Sequence, residues 1–517
     1  MQEEIKLMLS ARFPLLWVVS PEEETAEETL CAAAIAKKAQ IYFWDFARGF
    51  SDYGGNSNAA KGNPMQALER VIKASPETAA IFVMKDIANL IAPGANGQIS
   101  AGQLPIVREI KNLAREIARD RRTLVILSDQ LRLPLELREE TTVVDFCLPT
   151  IEEISELIDR LVGAKIKLVS ESREQLLKAC QGLTRCRIAR VLAKCLARSG
   201  KVDETSIDAV IEEKRQTIRE TGILEFIPAV AGLETIGGLE NLKSWVKVRS
   251  HSFSDKAREY GLPSPKGLLL AGIQGTGKSL SAKTIAAEWK LPLLRLDVGR
   301  LFGGIVGESE SRVRQVIKLA EAIAPVILFI DEIDKAFANI TSGDDGDSGT
   351  SQRVFGTLLT WMQEKTAPVF VVMTANRPEV LPAELIRKGR IDDIFWVDLP
   401  KFAEREQIFQ VHLSRVRPER MKEFNLKLFA FSTKDFSGAE IEQVIYDAMQ
   451  NAFSWDADFT QDDLLDAIQD CVPLAQIAQP QIEALKSWAV RSGAKSASSQ
   501  YSEIHQPELR MLEVDNN

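Results

Sequence analysis

A glycine-rich loop that directly follows an apolar strand limits the fold of this chain more than any other feature. Residues 272–279 read Gly-Ile-Gln-Gly-Thr-Gly-Lys-Ser, and the run Gly-Leu-Leu-Leu-Ala precedes them. Glycines allow backbone N–H groups to converge on a phosphate, the lysine reaches the outer phosphates, and the serine hydroxyl can bind magnesium. A glycine-rich turn without a ligand would leave Lys278 unexplained. We therefore expect a strand, a phosphate-binding loop and a helix, with a nucleoside triphosphate as the ligand.

Composition excludes several classes of protein. The 517 residues are 45% hydrophobic and 26% charged, which predicts a globular chain of several domains. Apolar runs are shorter than the ~18 residues that a membrane span needs, and the first residues lack the pattern of a secretory signal. We expect no membrane span, and a cytoplasmic location, or the plastid stroma if the protein is organellar.

The cysteines, the histidines and the net charge exclude further kinds of site and partner. The six cysteines form no Cys-x-x-Cys pair, and the three histidines form no His-Glu-x-x-His motif. Buried thiols are therefore expected, rather than disulfides or a zinc protease site. A net charge of −9 gives no general attraction to nucleic acid, so we do not expect a nucleic-acid partner.

A second predicted strand ends in two carboxylates. The run Val-Ile-Leu-Phe-Ile at 326–330 is typical of a central parallel strand, and Asp331 and Glu332 follow it. Phosphoryl transfer needs one group that holds magnesium and one that polarises the attacking water. We assign the first role to Asp331, with the hydroxyl of Ser279, and the second role to Glu332. The alternative, two acids that merely end a strand, does not account for the phosphate loop upstream.

Three further polar side chains complete the predicted catalytic set. The apolar run at 369–373 leads to Asn376, whose amide can orient the same water or contact the outer phosphate. Arg387 and Arg390 follow, and two guanidinium groups can stabilise the charge that develops as a phosphate departs. As an ordinary surface pair, the two arginines would need no explanation.

From about Gly232 to Pro473 these motifs resemble, in order and spacing, those of the AAA clade of AAA+ ATPases. The segment 236–239 is similar to the part of that family that contacts adenine, and 437–440 is similar to the start of its lid helix. Arg387 and Arg390 match its arginine fingers. His412 matches a lid histidine near the nucleoside, with an ordinary core or surface histidine as an equal alternative.

The resemblance implies ATP and Mg²⁺ as cofactors and a closed ring, usually a hexamer, in which the arginine fingers act on nucleotide held by the neighbouring subunit. Ser279 and Asp331 are the implied metal ligands. The residues expected to bind the nucleotide lie in the adenine segment, the phosphate loop, the acidic strand end and the lid: Ile236, Gly237, Gly272, Gln274, Gly275, Thr276, Gly277, Lys278, Ser279, Leu280, Asp331, His412, Gly438 and Ala439.

Two local features separate this chain from most of the family. The phosphate loop lacks the usual prolines, and together with residues 301–308 it resembles one subgroup, the AAA proteins of cyanobacteria and algal plastid genomes. That subgroup implies a photosynthetic source but no substrate. Rings that thread a polypeptide usually carry an aromatic side chain two residues before Gly307, where this chain has Ile305. A branched aliphatic side chain can still grip apolar segments, so this departure weakens threading without excluding it.

The first half repeats part of the same pattern. Three of its segments align in order with segments of the second half, the first two at a spacing of 246 residues: 81–87 with 327–333, 124–128 with 370–374, and 133–138 with 381–387. Duplication explains this order better than chance similarity of strands. In the first copy, Pro21 to Thr25 replace the phosphate loop with three carboxylates, which we expect to repel a triphosphate. This segment has no glycine, and Lys85 stands in the place of Asp331. We expect no nucleotide there, which an unrelated α/β domain without a site would also predict.

The predicted fold class is α/β, a P-loop AAA+ domain with a helical lid, preceded by a degenerate AAA-like α/β domain. The expected boundaries are 1–150 for the degenerate domain without a phosphate loop, 151–200 for its helical lid, 201–231 for a linker helix, 232–400 for the ATPase core, 401–491 for the lid and C-terminal helix, and 492–517 for a mobile tail.

The function that we predict is ATP hydrolysis by a homo-oligomeric ring that remodels an unidentified protein client. The first alternative is a nucleotide-gated binding or regulatory module that does not thread, which Ile305 and the inert first half favour. The second alternative is a nucleic-acid-stimulated ATPase, which the lack of an evident basic stripe disfavours.

Overall fold

The computed structural model describes residues 2–52, 55–56, 59–94, 98–163, 170–220, 222–227, 232–253, 255–302, 308–341, 348–387 and 389–499. The chain forms two compact units, residues 1–214 and 215–517. The candidate pore residue Ile305 lies outside the described residues. Among those that are described, no helix is both long and apolar enough to cross a bilayer.

The first unit alternates strands and helices and then becomes helical. Its strands are β1 (Leu15–Val19), β2 (Gln40–Asp45), β3 (Gly49–Asp52), β4 (Gly55–Asn56), β5 (Ala80–Met84), β6 (Arg122–Ser128) and β7 (Thr141–Asp145). Its helices are α1 (Gln2–Ser10), α2 (Glu23–Lys37), α3 (Pro64–Lys73), α4 (Ile87–Leu90), α5 (Leu104–Ile117), α6 (Ile151–Val162), α7 (Ser170–Cys180) and α8 (Arg185–Ser199). The helix α9 (Thr205–Glu220) follows and includes the boundary between the two units.

The strands of this unit form one sheet in the order β4-β3-β2-β5-β6-β1-β7. Five neighbouring strands, β2, β5, β6, β1 and β7, are parallel. The strands β3 and β4 extend the β2 edge of the sheet and are antiparallel. Successive side chains of β1 alternate between faces, so that Trp17 joins the apolar core on one face and Leu16 the core on the other. The helices α6 to α8 pack around a separate core that includes Leu157 and Leu192.

The second unit also alternates strands and helices and then becomes mainly helical. Its strands are β8 (Leu224–Ile227), β9 (Gly267–Gly272), β10 (Leu293–Leu296), β11 (Val326–Ile330), β12 (Val369–Ala375), β13 (Asp393–Val397) and β14 (Lys495–Ser496). Its helices are α10 (Glu240–Val248), α11 (Asp255–Glu259), α12 (Lys278–Trp289), α13 (Val298–Phe302), α14 (Glu308–Ile323), α15 (Asp334–Thr341), α16 (Ser348–Glu364), α17 (Ala383–Ile386), α18 (Phe402–Val416), α19 (Leu426–Ser432), α20 (Gly438–Phe453), α21 (Gln461–Asp470), α22 (Leu474–Ile477) and α23 (Gln479–Ser492).

This sheet runs β14-β13-β9-β12-β11-β10-β8, and β8 is its antiparallel edge. Every residue of β9, β11 and β12 is buried, because helices cover both faces. Strands buried on both faces need continuous apolar runs, so these three strands could be predicted from the sequence. Leu269 and Leu268 of β9 face opposite cores. The expected α/β fold with a preceding AAA-like domain is confirmed.

The two sheets share a strand order. Read from one edge, β7-β1-β6-β5-β2 of the first unit corresponds to β13-β9-β12-β11-β10 of the second. The repeated segments therefore lie in equivalent strands, since Ile81 is in β5 and Ile327 in β11, while Leu124 is in β6 and Phe370 in β12. The sequence repeat corresponds to a repeat of topology.

The first unit fills the region after β1 with its own side chains. Glu22 is only 2% exposed at its side chain, and its carboxylate accepts hydrogen bonds from the backbone N–H and from Nη1 of Arg185, the first residue of α8. The Nη2 group of Arg185 also lies 2.6 Å from Glu153. We had expected the carboxylates of this segment to act by repelling a triphosphate. The structure corrects that picture for Glu22, whose charge is compensated by an arginine within the unit.

Lys85 makes a second internal cluster at the end of β5. Its ammonium group lies 2.8 Å from a carboxylate oxygen of Glu27 and 3.2 Å from one of Glu23, both on α2. Burial lowers the pKa of Lys85, but the hydrogen bonds and charges of the two glutamates outweigh it and raise the pKa above its usual value. The lysine is therefore held as a paired cation where the second unit has Asp331.

The prediction of a mobile tail from residue 492 is wrong for its first residues. Lys495 and Ser496 form β14, which pairs in parallel with Phe395 and Trp396 of β13. Ala497 is fully buried. Short polar stretches carry no periodicity, so an edge strand of two residues gave no signal in the sequence. The residues from 500 onward lie outside the described part of the chain.

We expect the substitution Glu22→Gln to destabilise the first unit by about 2 kcal/mol, because loss of a hydrogen bond to a charged partner costs about 1.5–3 kcal/mol. Hydrogen exchange of the full chain should report faster exchange at 15–22 and 185–199. Glu24→Gln is the matched control, since Glu24 is exposed two residues away. Equal exchange in both variants would mean that the Glu22–Arg185 pair contributes no stability.

Candidate nucleotide site at the carboxyl ends of the parallel strands

The phosphate loop joins β9 to α12 and is closed by its own lysine. The ammonium group of Lys278 donates to the carbonyl oxygens of Gly272, at 2.9 Å, and Ile273, at 2.6 Å. Lys278 is 6% exposed, and burial lowers its pKa to about 8, against the opposing charges of nearby carboxylates. Thr276 donates its hydroxyl hydrogen to the carbonyl of Ile273 at 2.7 Å. The loop therefore holds a buried cation with donors that a phosphate could take over.

Gly275 is needed because the loop meets the lid at this point. Its φ of +77° lies in the left-handed region, and a Cβ there would be 2.8 Å from the hydroxyl oxygen of Ser437. The carbonyl of Gly275 accepts a hydrogen bond from the N–H of Ala439 at 3.0 Å. Ser437 caps α20 and exchanges hydrogen bonds with Glu440 in a capping box. The sequence-predicted residues Gly275, Gly438 and Ala439 are thus brought together.

The carboxylate of Asp331 connects three elements. Its Oδ1 accepts hydrogen bonds from the hydroxyl of Ser279, at 2.8 Å, and from that of Thr374, at 2.7 Å. Its Oδ2 lies 3.5 Å from Nη2 of Arg295 on β10. Ser279 is the second residue of α12, Asp331 follows β11, and Thr374 is the next-to-last residue of β12. The carboxyl ends of neighbouring strands therefore converge on one carboxylate.

These oxygen atoms fit magnesium. Mg²⁺ prefers hard oxygen ligands and is usually held by one or two protein groups together with substrate phosphates. Ser279 and Asp331 supply such groups beside the phosphate loop. Among the described residues, no cluster of three or more histidine, cysteine, aspartate or glutamate side chains could hold a metal by itself. Two oxygen ligands beside a phosphate-binding loop suit a metal that also takes ligands from the phosphates.

Glu332 is held beside Asp331 in an unusual backbone conformation. Its φ is +50°, and its N–H donates to the hydroxyl of Thr374 at 2.8 Å. Its carboxylate accepts a hydrogen bond from the amide of Asn376 at 3.1 Å and lies 2.5 Å from the ammonium group of Lys335. Left-handed backbone is uncommon for a glutamate and recurs at functional sites. Glu332 and Asn376, predicted to act on one water, are in contact.

Asp334 anchors the segment after β12. It is 5% exposed, and its carboxylate accepts hydrogen bonds from the backbone N–H groups of Asn376 and Arg377, each at 3.2 Å. This fixes the position from which the Asn376 side chain reaches Glu332. Asp334 is three residues beyond Asp331, at the start of α15, so its role could not be separated from that of an ordinary helix residue in the sequence.

Four further predicted residues are His412, Leu280, Arg387 and Arg390. His412 on α18 places Nδ1 3.4 Å from a carboxylate oxygen of Glu442, and burial lowers its pKa below the usual range, although Glu442 opposes the shift. Leu280 is 40% exposed on α12. Arg387 is exposed, while Arg390 donates to the carbonyl of Glu384. Neither the contact of His412 with Glu442 nor the hydrogen bond of Arg390 to Glu384 involves Asp331, Glu332 or Asn376.

Sequence reasoning missed four residues of the site. Thr374, Asp334, Arg295 and Lys335 all contact a predicted residue. Thr374 had a usable signal, because it lies at the carboxyl end of β12, the strand beside the one that Asp331 follows. Arg295 and Lys335 had none, since their contacts follow from strand order and helix direction rather than from a motif.

Family models match three parts of the chain. Residues 268–399 match the model of the "ATPase family associated with various cellular activities (AAA)". Residues 1–146 match the SpoVK-like AAA ATPase, N-terminal domain, and residues 152–221 match the second domain of the same group.

Individual relatives cover almost the whole chain. The AAA domain-containing protein ycf46 of Trieres chinensis is 46% identical over 499 residues, which is 96% of this chain and 98% of the relative. The ycf46 protein of Pyropia yezoensis is 44% identical over 96% of this chain and 99% of its own length. At greater distance, the Cell division cycle protein 48 homolog of Archaeoglobus fulgidus is 31% identical over 58% of this chain and 40% of its own length. The chain therefore belongs to the AAA ATPase family and, within it, to the ycf46 group of AAA domain-containing proteins.

Proposed function

We propose that this protein binds ATP with Mg²⁺ at residues 272–279 and hydrolyses it, and that it works as an oligomeric ring on a protein client. The observation that carries the proposal is the paired arrangement of Asp331 and Glu332. Asp331 bonds the loop serine and Thr374, while Glu332 bonds Asn376. A site for binding alone would not need a second carboxylate beside a water-orienting amide.

The residues divide the reaction between them. Lys278 would exchange its bonds to the loop carbonyls for bonds to the outer phosphates, and Ser279 and Asp331 would hold the metal. Magnesium supplies neutralisation of the triphosphate charge when it is bound. Glu332 would accept a proton from the attacking water, which Asn376 helps to orient. Lys335 is 70% exposed at its side chain, so its pairing with Glu332 can open at small cost.

Assembly would complete the site. Arg387 is exposed and Arg390 is partly exposed, which leaves both available to stabilise the departing phosphate on a neighbouring subunit. Membership of the AAA family supports a ring, and a hexamer is the size that we propose. Hydrolysis would then require oligomerisation.

The client and the location are also proposals. Distant similarity to a Cell division cycle protein 48 homolog supports remodelling of a protein partner. Relatives from algae support a location in the cytoplasm of a photosynthetic cell, or in the plastid stroma. A second candidate function is a nucleotide-gated binding module without threading. It is favoured by Ile305 in place of an aromatic residue and by the ion pairs that fill the first unit at Glu22 and Lys85.

We expect Glu332→Gln to bind ATP with an affinity close to that of the wild type and to lower kcat by about 100-fold or more, because the general base is lost. Steady-state phosphate release and calorimetric titration would measure the two effects. Glu419→Gln is the control, since Glu419 is exposed on the segment 418–423. Near wild-type turnover of Glu332→Gln would remove Glu332 from the mechanism.

We expect one ATP per chain in the wild type and none in Lys278→Ala. The segment 20–25, which follows β1 in the first unit, has no glycine, and Glu22 and Lys85 are already paired, so this unit offers no second site. Calorimetry on the full chain gives the stoichiometry directly. Residual binding of one ATP by Lys278→Ala would place a site in the first unit and overturn its assignment as inert.

We expect a stalled ring to retain its client. Tagged Glu332→Gln held in ATP should copurify a protein that Lys278→Ala under the same conditions does not. Adding that protein with a fluorescent folded tag to the wild type then separates the two functions. Loss of the tag fluorescence during hydrolysis supports remodelling, whereas release of an intact tag supports nucleotide-gated binding. Equal retention by both variants would contradict both.

A further inference from the structure

The last described residues of the chain are built into the sheet beside the nucleotide site. We call residues 495–498 the terminal clasp. Its Ala497 is fully buried, and the N–H of Ala497 donates to the carbonyl of Trp396 on β13 at 2.9 Å. Lys495 places its ammonium group 2.5 Å from the carboxylate of Asp393 on the same strand. The clasp is therefore held to the edge of the sheet by backbone pairing and by an ion pair.

The clasp also binds the first turn of α10. The carbonyl of Ala497 accepts hydrogen bonds from the N–H groups of Asn241, at 3.0 Å, and Leu242, at 3.2 Å. The side-chain amide of Asn241 donates to the carbonyls of Ser496, at 3.1 Å, and Ser498, at 3.0 Å. Four hydrogen bonds thus join the terminal clasp to two consecutive helix residues.

These bonds replace a missing helix cap. The first N–H groups of a helix need acceptors from outside it. The residue before α10, Leu239, has a left-handed backbone and makes no side-chain cap bond. The carbonyl of Ala497 supplies the acceptor instead. The start of α10, and the chain that leads into it, are therefore positioned from the other end of the sequence.

The chain that leads into α10 is the segment predicted to contact adenine. On its other side this segment meets α18 of the lid. The N–H of Gly238 donates to Oε1 of Gln407 at 2.8 Å, and that of Leu239 donates to Oε1 of Glu404 at 3.2 Å. A Cβ on Gly237 would lie 2.6 Å from Cγ1 of Ile408. The adenine segment is held between the lid and the terminal clasp.

We propose that the terminal clasp positions the adenine segment and thereby sets the affinity for the nucleoside part of ATP, with Asn241 as the positioning residue. The inference rests on the proposed function, because it assumes that ATP binds here. Freeing the clasp leaves the first turn of α10 without acceptors, so residues 236–242 open more often. The phosphate loop and Asp331 make none of these bonds, and their chemistry should be spared.

Asn241→Asp tests this proposal in the full chain. Aspartate has the shape of asparagine and suits a helix N-terminus, but it cannot donate to the carbonyls of Ser496 and Ser498. We expect the Kd for ATP to rise about tenfold, which corresponds to about 1.4 kcal/mol. Hydrogen exchange without nucleotide should accelerate at 236–242 and stay unchanged at 272–285. In turnover, KM should rise while kcat stays within about twofold.

Glu240→Gln is the matched control, since Glu240 is exposed on the same turn and pairs only with Lys243 among the described residues. Truncation after Gly493 should reproduce the effect of Asn241→Asp. A wild-type Kd in a folded Asn241→Asp protein would overturn the clasp proposal and leave ATP binding intact. Equal loss of kcat and affinity, or faster exchange at 272–285, would overturn it as well. Absence of ATP binding by the wild type would instead refute the proposed function on which it rests.

Discussion

The carboxylate of Asp331 is the point on which the second unit depends. The strands β9, β12 and β11 are adjacent and parallel, so their carboxyl ends meet at one edge of the sheet. Asp331 accepts hydrogen bonds there from Ser279 and Thr374. These bonds join the phosphate loop to the carboxyl ends of β11 and β12. Because all three strands are buried on both faces, these groups have little freedom to move. The same carboxylate is the proposed metal ligand, so Asp331 would both hold the strand ends together and bind the metal.

The two units show how one topology can be stabilised in two ways. In the second unit, Gly275 allows the phosphate loop to approach the lid closely. Lys278 donates hydrogen bonds to backbone carbonyls, whose place the phosphates of a bound nucleotide would take. In the first, Glu22 pairs with Arg185, so a protein carboxylate joins the segment that follows β1 to the first residue of α8. The internal ion pair of the first unit needs no ligand, whereas the proposed nucleotide of the second unit would bind and leave. The first unit is therefore suited to a constant structural role and the second to a cycle.

Much of the fold and site could be predicted because strong local signals coincide with function. Buried parallel strands need continuous apolar runs, and a phosphate loop needs its glycines and Lys278, so both were visible in the sequence. Contacts between distant residues were not. The prediction that Asn376 and Glu332 act on one water implied that they are near each other, but it did not give their hydrogen bond. The position of Arg295 beside Asp331 depends on which strands are neighbours. Glu22 was interpreted as a repelling charge because nothing in the sequence points to its partner 163 residues away.

The most direct measurement of the central claim is an experimental structure of the Glu332→Gln protein with ATP and Mg²⁺. The account predicts the triphosphate against the N–H groups of residues 272–279, with the ammonium group of Lys278 bonded to phosphate oxygens instead of the carbonyls of Gly272 and Ile273. A well-ordered loop that keeps its lysine on those carbonyls, with ATP bound elsewhere or not at all, would contradict it.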